Sequence, residues 1–337
     1  MKISRRDLLK ASVPALASVN AFRWNAVVKS SLIDGVQLGC QTYSFHDVTA
    51  GGPAAIDQII QHMNQVGLNM CELFSPNLEP FPMPWFSVEA WAPKAAKGGG
   101  PAGDVTAAVA MARVKAGSPE AKAQREELRK WRLSVPLDYF LGVSKKFRDA
   151  GIKLYCYNLS FDDSFTDDEI DKGFEMARAL GTNIITASTT LSVAKRLVPF
   201  AEKHGTYVSM HGHSSVKDPN QFSSPATFAT ALGWSKYFKI NLDIGHFWAA
   251  GFEPVAFIRE QHANITNLHL KDRLTNDGPN VAWAEGPGHT PIRAVLQLLE
   301  KNRWPVPALI EYEYQGPGTP TEEVAKSYAI ARKYLEG

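Results

Sequence analysis

Two histidines and two carboxylates, His211, Asp243, His269 and Glu311, stand near the C-terminal ends of four successive β-like runs: YVSMHGH, FKINLDIGH, ITNLHLKDR and PALIEYEY. Imidazole nitrogens and carboxylate oxygens are donors that hold divalent cations. Where parallel strands alternate with helices and close into a barrel, strand C-termini converge on one rim, and that rim carries the chemistry. The four side chains are therefore expected to meet and to hold one divalent metal ion. Their mixed set suits Mn²⁺, Co²⁺ or Zn²⁺ better than Mg²⁺, which prefers oxygen but stays among the candidates. A catalytic metal keeps positions open, so a substrate hydroxyl and a neighbouring carbonyl can chelate it, which lowers the cost of an enediolate. That is the Lewis-acid half of an aldose–ketose isomerisation or a ketose epimerisation. The other half is a group that moves the proton.

Eight strand-like runs can position such a site: 36–44, 69–74, 153–160, 183–188, 207–213, 238–246, 265–271 and 308–314. They are short, bounded by turn residues and mostly rich in β-branched or aromatic side chains. Between them lie helical patterns. Ile56, Ile59, Ile60, Met63 and Val66 share one helical face that Gly67 should stop. Thr166 and Glu169 form a capping box opening a helix to Leu180, and Thr290-Pro291 reads as a cap with a first-turn proline. Eight alternations predict an α/β fold, a (β/α)8 TIM barrel. Residues 75–132 break the rhythm after the second strand. Pro76, Pro80, Pro82 and Pro84 alternate there with Phe81, Trp85 and Phe86, and Gly98-Gly99-Gly100 precedes an Ala-rich charged segment. A loop of that length on the rim reads as a functional lid.

With 36 basic and 34 acidic residues, the net charge of +2 leaves no basic face for nucleic acid. Three cysteines without a CxxC pair, Cys40, Cys71 and Cys156, exclude a disulfide framework and read as small core residues. At the N-terminus, Ser4-Arg5-Arg6-Asp7-Leu8-Leu9-Lys10 resembles a twin-arginine export signal. The apolar stretch Ala11 to Phe22 behind it is too short to span a bilayer as an ordinary helix, and Ala15, Ala17 and Ala21 offer cleavage sites. The expectation is a leader over 1–30, a barrel over 31–337, export of the folded chain to the periplasm, and no stable membrane insertion after cleavage.

The motifs NLDIGHFWAAG, NLHLKDR, AEGPGHTPI and IEYEY resemble the xylose-isomerase-like TIM barrels, known broadly as sugar phosphate isomerases and epimerases. The resemblance runs from about Gly35 to the C-terminus. It implies that Asp243, His269 and Glu311 are metal ligands, that His246 binds substrate, and that Arg273 meets a substrate hydroxyl or anion. Glu72, in CELF, matches a rim carboxylate of the family. The chain departs from the family on the fifth strand, where the epimerases place a glutamate that is both ligand and acid–base group. Here the residues are His211-Gly212-His213. Side chains alternate along a strand, so both imidazoles face the barrel mouth, one as ligand and one as acid–base group.

The same alternation puts Lys271 on the face of His269 and Glu313 on that of Glu311. Lys271 can then touch substrate or neutralise Glu311. Trp248, Trp283 and Phe247 near the rim can stack on a sugar or pack in the core.

Together these readings give an exported metalloenzyme that isomerises or epimerises a small-molecule carbohydrate or keto-sugar, as a monomer or homo-oligomer. His211, Asp243, His269 and Glu311 hold the metal, His213, His246 or Glu72 moves the proton, and Arg273, Lys271 and Trp248 bind substrate. A lyase or hydratase on 3-keto-glycosides is the alternative, since His-x-His replaces the carboxylate. A non-catalytic sugar-binding protein is a third reading. Endonuclease IV, a trizinc DNA enzyme of the same superfamily, is excluded by the balanced charge and by too few ligands.

Overall fold

A computed structural model describes residues 30–83 and 118–337. The expected leader, apart from Ser30, and residues 84–117 of the insertion lie outside the described residues. Those described form the expected barrel. Strands β1 (Val36–Gln41), β2 (Met70–Phe74), β3 (Lys153–Asn158), β4 (Ile184–Ala187), β5 (Tyr207–His211), β6 (Phe238–Asp243), β7 (Ile265–Leu270) and β8 (Ala308–Ile310) pair in parallel in chain order, and β8 closes on β1. Around them run α1 (Pro53–Val66), α2 (Pro119–Ser134), α3 (Leu137–Asp149), α4 (Asp167–Ala179), α5 (Leu191–His204), α6 (Pro225–Leu232), α7 (Ile244–Ala249), α8 (Pro254–Gln261), α9 (Ile292–Asn302) and α10 (Pro320–Glu336). No helix among the described residues is long and apolar enough to cross a membrane.

Local chemistry sets these boundaries. Helix α1 buries Ile56, Ile59 and Met63 and ends at Gly67, whose φ of 86° suits glycine. The Thr166–Glu169 capping box opens α4 as expected. Thr290 is not a cap: Pro291 holds that position of α9, while the Thr290 hydroxyl bonds the backbone of Arg273. Most strands stop short of their sequence runs. The first gives way to a 3-10 turn at Thr42–Ser44, and the sixth ends at Asp243, whose side chain accepts the His246 N–H at 2.7 Å and so caps α7. Gly245 permits this tight exit, since a Cβ there would stand 2.7 Å from the Lys271 carbonyl oxygen.

Outward-facing strand residues such as Leu242, Leu268, Leu270 and Ile310 join the main apolar core between barrel and helices. Inside the barrel, Met70, Cys156, Ile184 and Leu309 form a small separate apolar cluster. The next inward positions along the same strands are polar: Glu72, Asn158, Thr186 and Glu311. Alternation with period two thus builds an apolar floor and a chemically active upper half.

The insertion's described helix, α2, is fixed by charge. Arg125 and Arg129 both bond Glu169, at 2.8 and 2.9 Å, and Arg132 bonds Glu79 at 2.8 Å. The Glu169 side chain has no accessible surface.

Candidate metal centre

The four expected ligands meet. His211, Asp243, His269 and Glu311 come from β5, from the ends of β6 and β7, and from just past β8, and all are buried. One donor atom of each lies within 4.8 Å of the others. Register explains this, because Asp243 stands directly beside His269 across the β6–β7 pair. Asp243 Oδ2 is 4.0 Å from His211 Nε2 and 3.9 Å from His269 Nδ1, and His269 Nδ1 is 3.2 Å from Glu311 Oε2.

The donor set fits a metal ion. His211 Nδ1 is buried without a hydrogen-bond partner, and Asp243 Oδ2 makes no aligned hydrogen bond but faces the Lys271 ammonium at 3.0 Å, so the cluster keeps donor capacity that the neighbouring side chains leave unmet and a cation can use. Burial, then His269 and His213, push the His211 pKa well down, keeping it neutral, the form that ligates. Burial pushes the Asp243 carboxyl up to about 7, with Lys271 opposing. Burial also opposes the charge on Glu311, but Lys271 and His269 outweigh it and hold its pKa well down.

Behind His269 lies Glu72. It occurs two residues before the end of β2 and not at the tip, so it is enclosed in the barrel beneath the cluster. Its Oε2 is 2.8 Å from His269 Nε2 and accepts from Asn267 at 3.0 Å, and its Oε1 accepts from Thr186 at 2.6 Å and Asn158 at 3.2 Å. Asn241 reaches the same His269 nitrogen at 3.1 Å and accepts from Asn267. Burial works against a charged imidazole, but Glu72 and Glu311 outweigh it and raise the His269 pKa well above the usual range.

Above the cluster, His213 and His246 stand half-buried, their ring centroids 5.1 Å apart and 5.0 and 5.9 Å from that of His211. These three histidines also bring one nitrogen each within 4.8 Å of the others. Arg273 donates to His246 Nδ1 at 2.7 Å and to Ser214 at 2.9 Å, and its remaining nitrogens hold the Gly278 carbonyl at 3.0 and 2.7 Å. Lys271 lies among carboxylates, 3.0 Å from Asp243 Oδ2, 2.6 Å from Glu311 Oε2 and in contact with Glu313. Burial disfavours its charge, but Asp243, Glu311 and Glu313 raise its pKa above the ordinary lysine range.

Trp248 donates to the Gly288 carbonyl at 3.0 Å and so anchors the EGPGHTPI loop. Asp272 ties down the same loop by accepting from Ala284 N, Thr290 N and His289. Trp283 and Phe247 are core residues.

Sequence reading passed over Asn241 and Asn267, although each lies two positions before a ligand and so on the same strand face. It also passed over Tyr43, which hydrogen-bonds Glu313 from just beyond β1.

Known structures show the same architecture. A structure of the IolI protein with a bound zinc atom has 14% identity and a TM-score of 0.54, over 90% of this chain and 100% of that one. The 3-keto-D-glucoside 4-epimerase from E. coli has 10% identity and a TM-score of 0.52, over 89% and 99%. A probable 3-DHS dehydratase from Bacillus anthracis has 15% identity and a TM-score of 0.53, over 90% and 99%. At such identities the likeness is one of fold. No curated protein matches the chain. Residues 33–334 match the family model described as Xylose isomerase-like TIM barrel, and the chain belongs to that family.

Proposed function

We propose that the chain is a divalent-metal-dependent isomerase or epimerase of a carbohydrate or keto-sugar, moving a proton at the carbon beside a carbonyl. The observation that supports this most is the convergence of His211, Asp243, His269 and Glu311 from four consecutive strands on one buried point. A bound metal would supply positive charge beside the substrate carbonyl, where negative charge develops as the proton leaves.

The chain's own groups divide the rest of the work. His213 is the acid–base group: it lies just past the end of β5, its ring 5.0 Å from that of His211, where it can reach a substrate seated over the cluster. His246 orients substrate. Two obligate donors flank its ring, Arg273 at Nδ1 at 2.7 Å and Lys271 at Nε2 at 3.1 Å, and together they fix its orientation. Burial first, then Lys271, keep that ring neutral. Glu72 is a positioning residue that fixes the His269 ring through Nε2 and leaves Nδ1 for the metal. Arg273 holds His246, and Trp248 holds the adjacent loop.

The same reading makes residues 31–337 one barrel unit and places the reaction outside the cytoplasm, on the strength of the Arg5-Arg6 motif. A lyase or hydratase acting on 3-keto-glycosides is the second reading, favoured by His211 at the end of β5 and His213 just past it, where the epimerases place a glutamate. Metal analysis of the purified protein beside Asp243→Ala and Glu311→Ala tests the site, with about one equivalent expected in the parent and none in either variant. Substrate incubated in D₂O should then gain deuterium beside the carbonyl, with metal present only. Turnover that is equal without metal would overturn the proposal.

A further inference from the structure

The Lys271 ammonium touches the same two oxygens that face the histidine nitrogens. Asp243 Oδ2 is 3.0 Å from Nζ and also faces His211 and His269; Glu311 Oε2 is 2.6 Å from Nζ and faces His269. An ammonium and a divalent cation cannot share these oxygens at contact distance without strong repulsion in a buried site.

We propose that Lys271 is a tethered cation that takes the place of the metal's charge in the metal-free protein and withdraws onto Glu313 when a metal enters. This rests on the metal-dependent reading above. Three features carry it. The three ammonium protons match three carboxylates, and only Asp243 and Glu311 belong to the ligand set. Glu313 stays in contact after the other two are given up, and Asn280 and Tyr43 also hold it. On the far side, His246 Nε2 is 3.1 Å from Nζ. A neutral imidazole has one acceptor nitrogen, and Arg273 reaches its Nδ1 at 2.7 Å, so the ring cannot accept from both cations and the three carboxylates are the lysine's main hold in its inner position.

The full chain, stripped with chelator, is titrated with Co²⁺ and followed by the visible absorption of the bound ion. Four proteins are compared: parent, Lys271→Gln, Glu313→Gln and the double variant. Lys271→Gln should bind Co²⁺ on the order of 10- to 100-fold more tightly. Glu313→Gln should weaken binding in the parent background, because the lysine loses its second seat, and should have little effect once Lys271 is gone. Multiplicative effects, with Glu313→Gln equally costly in both backgrounds, would reduce the lysine to a general field effect and overturn the proposal. Unchanged or weaker binding by Lys271→Gln would overturn it too, while leaving the metal site intact. Binding by Lys271→Gln alone would support the lysine's role and defeat the metal-dependent activity of the parent. Absence of binding in all four would defeat both.

Discussion

At the scale of single residues, the four ligands are unequally held: His211 Nδ1 has no hydrogen-bond partner, whereas the other three are gripped by neighbours. His269 is gripped at both nitrogens, by Glu72 behind and Glu311 in front. Orienting partners of this kind typically contribute 10–100-fold to metal affinity. Glu72→Gln should therefore weaken metal binding by about that factor while keeping the side-chain volume, as a competition titration against a chromophoric chelator would show. His213→Ala should behave differently. Loss of an acid–base group lowers kcat by about 10²–10⁴-fold, and the metal equivalent should be retained. Loss of the metal together with activity would make His213 a ligand instead. The ligands were legible in the sequence because each falls on or just past a strand end with the right donor atoms. The depth of Glu72 was missed for another reason: the run 69–74 already placed it two residues before the strand end, but its likeness to a rim carboxylate put it at the tip. The pairing of Lys271 with Glu311 was legible from strand alternation, but its further contacts with Asp243 and Glu313 were not, because they reach it from other parts of the chain.

At the scale of elements, all eight strands were readable as runs bounded by turn signals, and their ends were not. Asp243 shows why: one residue closes β6 and caps α7, so apolar residues continue through the boundary while the period changes from two to 3.6. The capping box at Thr166 was legible, but its second use was not. Glu169 both completes that box and receives Arg125 and Arg129 from the inserted helix, a long-range pairing invisible to local pattern. Burial works against its charge, yet the arginines outweigh it and lower its pKa. The unfolded chain then binds the proton more readily than the folded one, so stability increases with pH here. The contribution is fully present above the unfolded glutamate value of about 4.3 and fades as pH falls towards the lower folded value. Glu169→Ala removes the shared partner of the half-buried Arg125 and Arg129 and should cost about 2 kcal/mol in urea unfolding at pH 7. The difference from the parent should shrink on acidification below about pH 4. A constant difference across that range would mean that packing, not charge, fastens α2.

At the scale of the whole molecule, the barrel concentrates unfavourable electrostatics at one end. Asp243, Glu311, Glu313 and Glu72 lie close together against Lys271 and His269, over an apolar floor of Met70, Cys156, Ile184 and Leu309. Four strands contribute to that cluster through β5–β8, so an ion bound there ties one half of the barrel to itself and is lost when the strands separate. A ligand that binds only the folded state stabilises it by mass action, by about 2.7 kcal/mol when free metal is 100 times its dissociation constant. For a chain of this size that corresponds to a rise in Tm on the order of 5 °C. Adding chelator to the parent protein should lower Tm by that amount, and readdition of Mn²⁺, Co²⁺ or Zn²⁺ should restore it, with the largest recovery marking the tightest-binding ion. Asp243→Ala should be insensitive to both treatments. Lys271→Gln should show the opposite pattern, with a lower metal-free Tm because three carboxylates lose their counter-charge, and a larger gain on metal addition. If chelator leaves the parent Tm unchanged while metal analysis still finds one equivalent, the ion sits away from β5–β8, and the convergence of those four strands serves substrate alone.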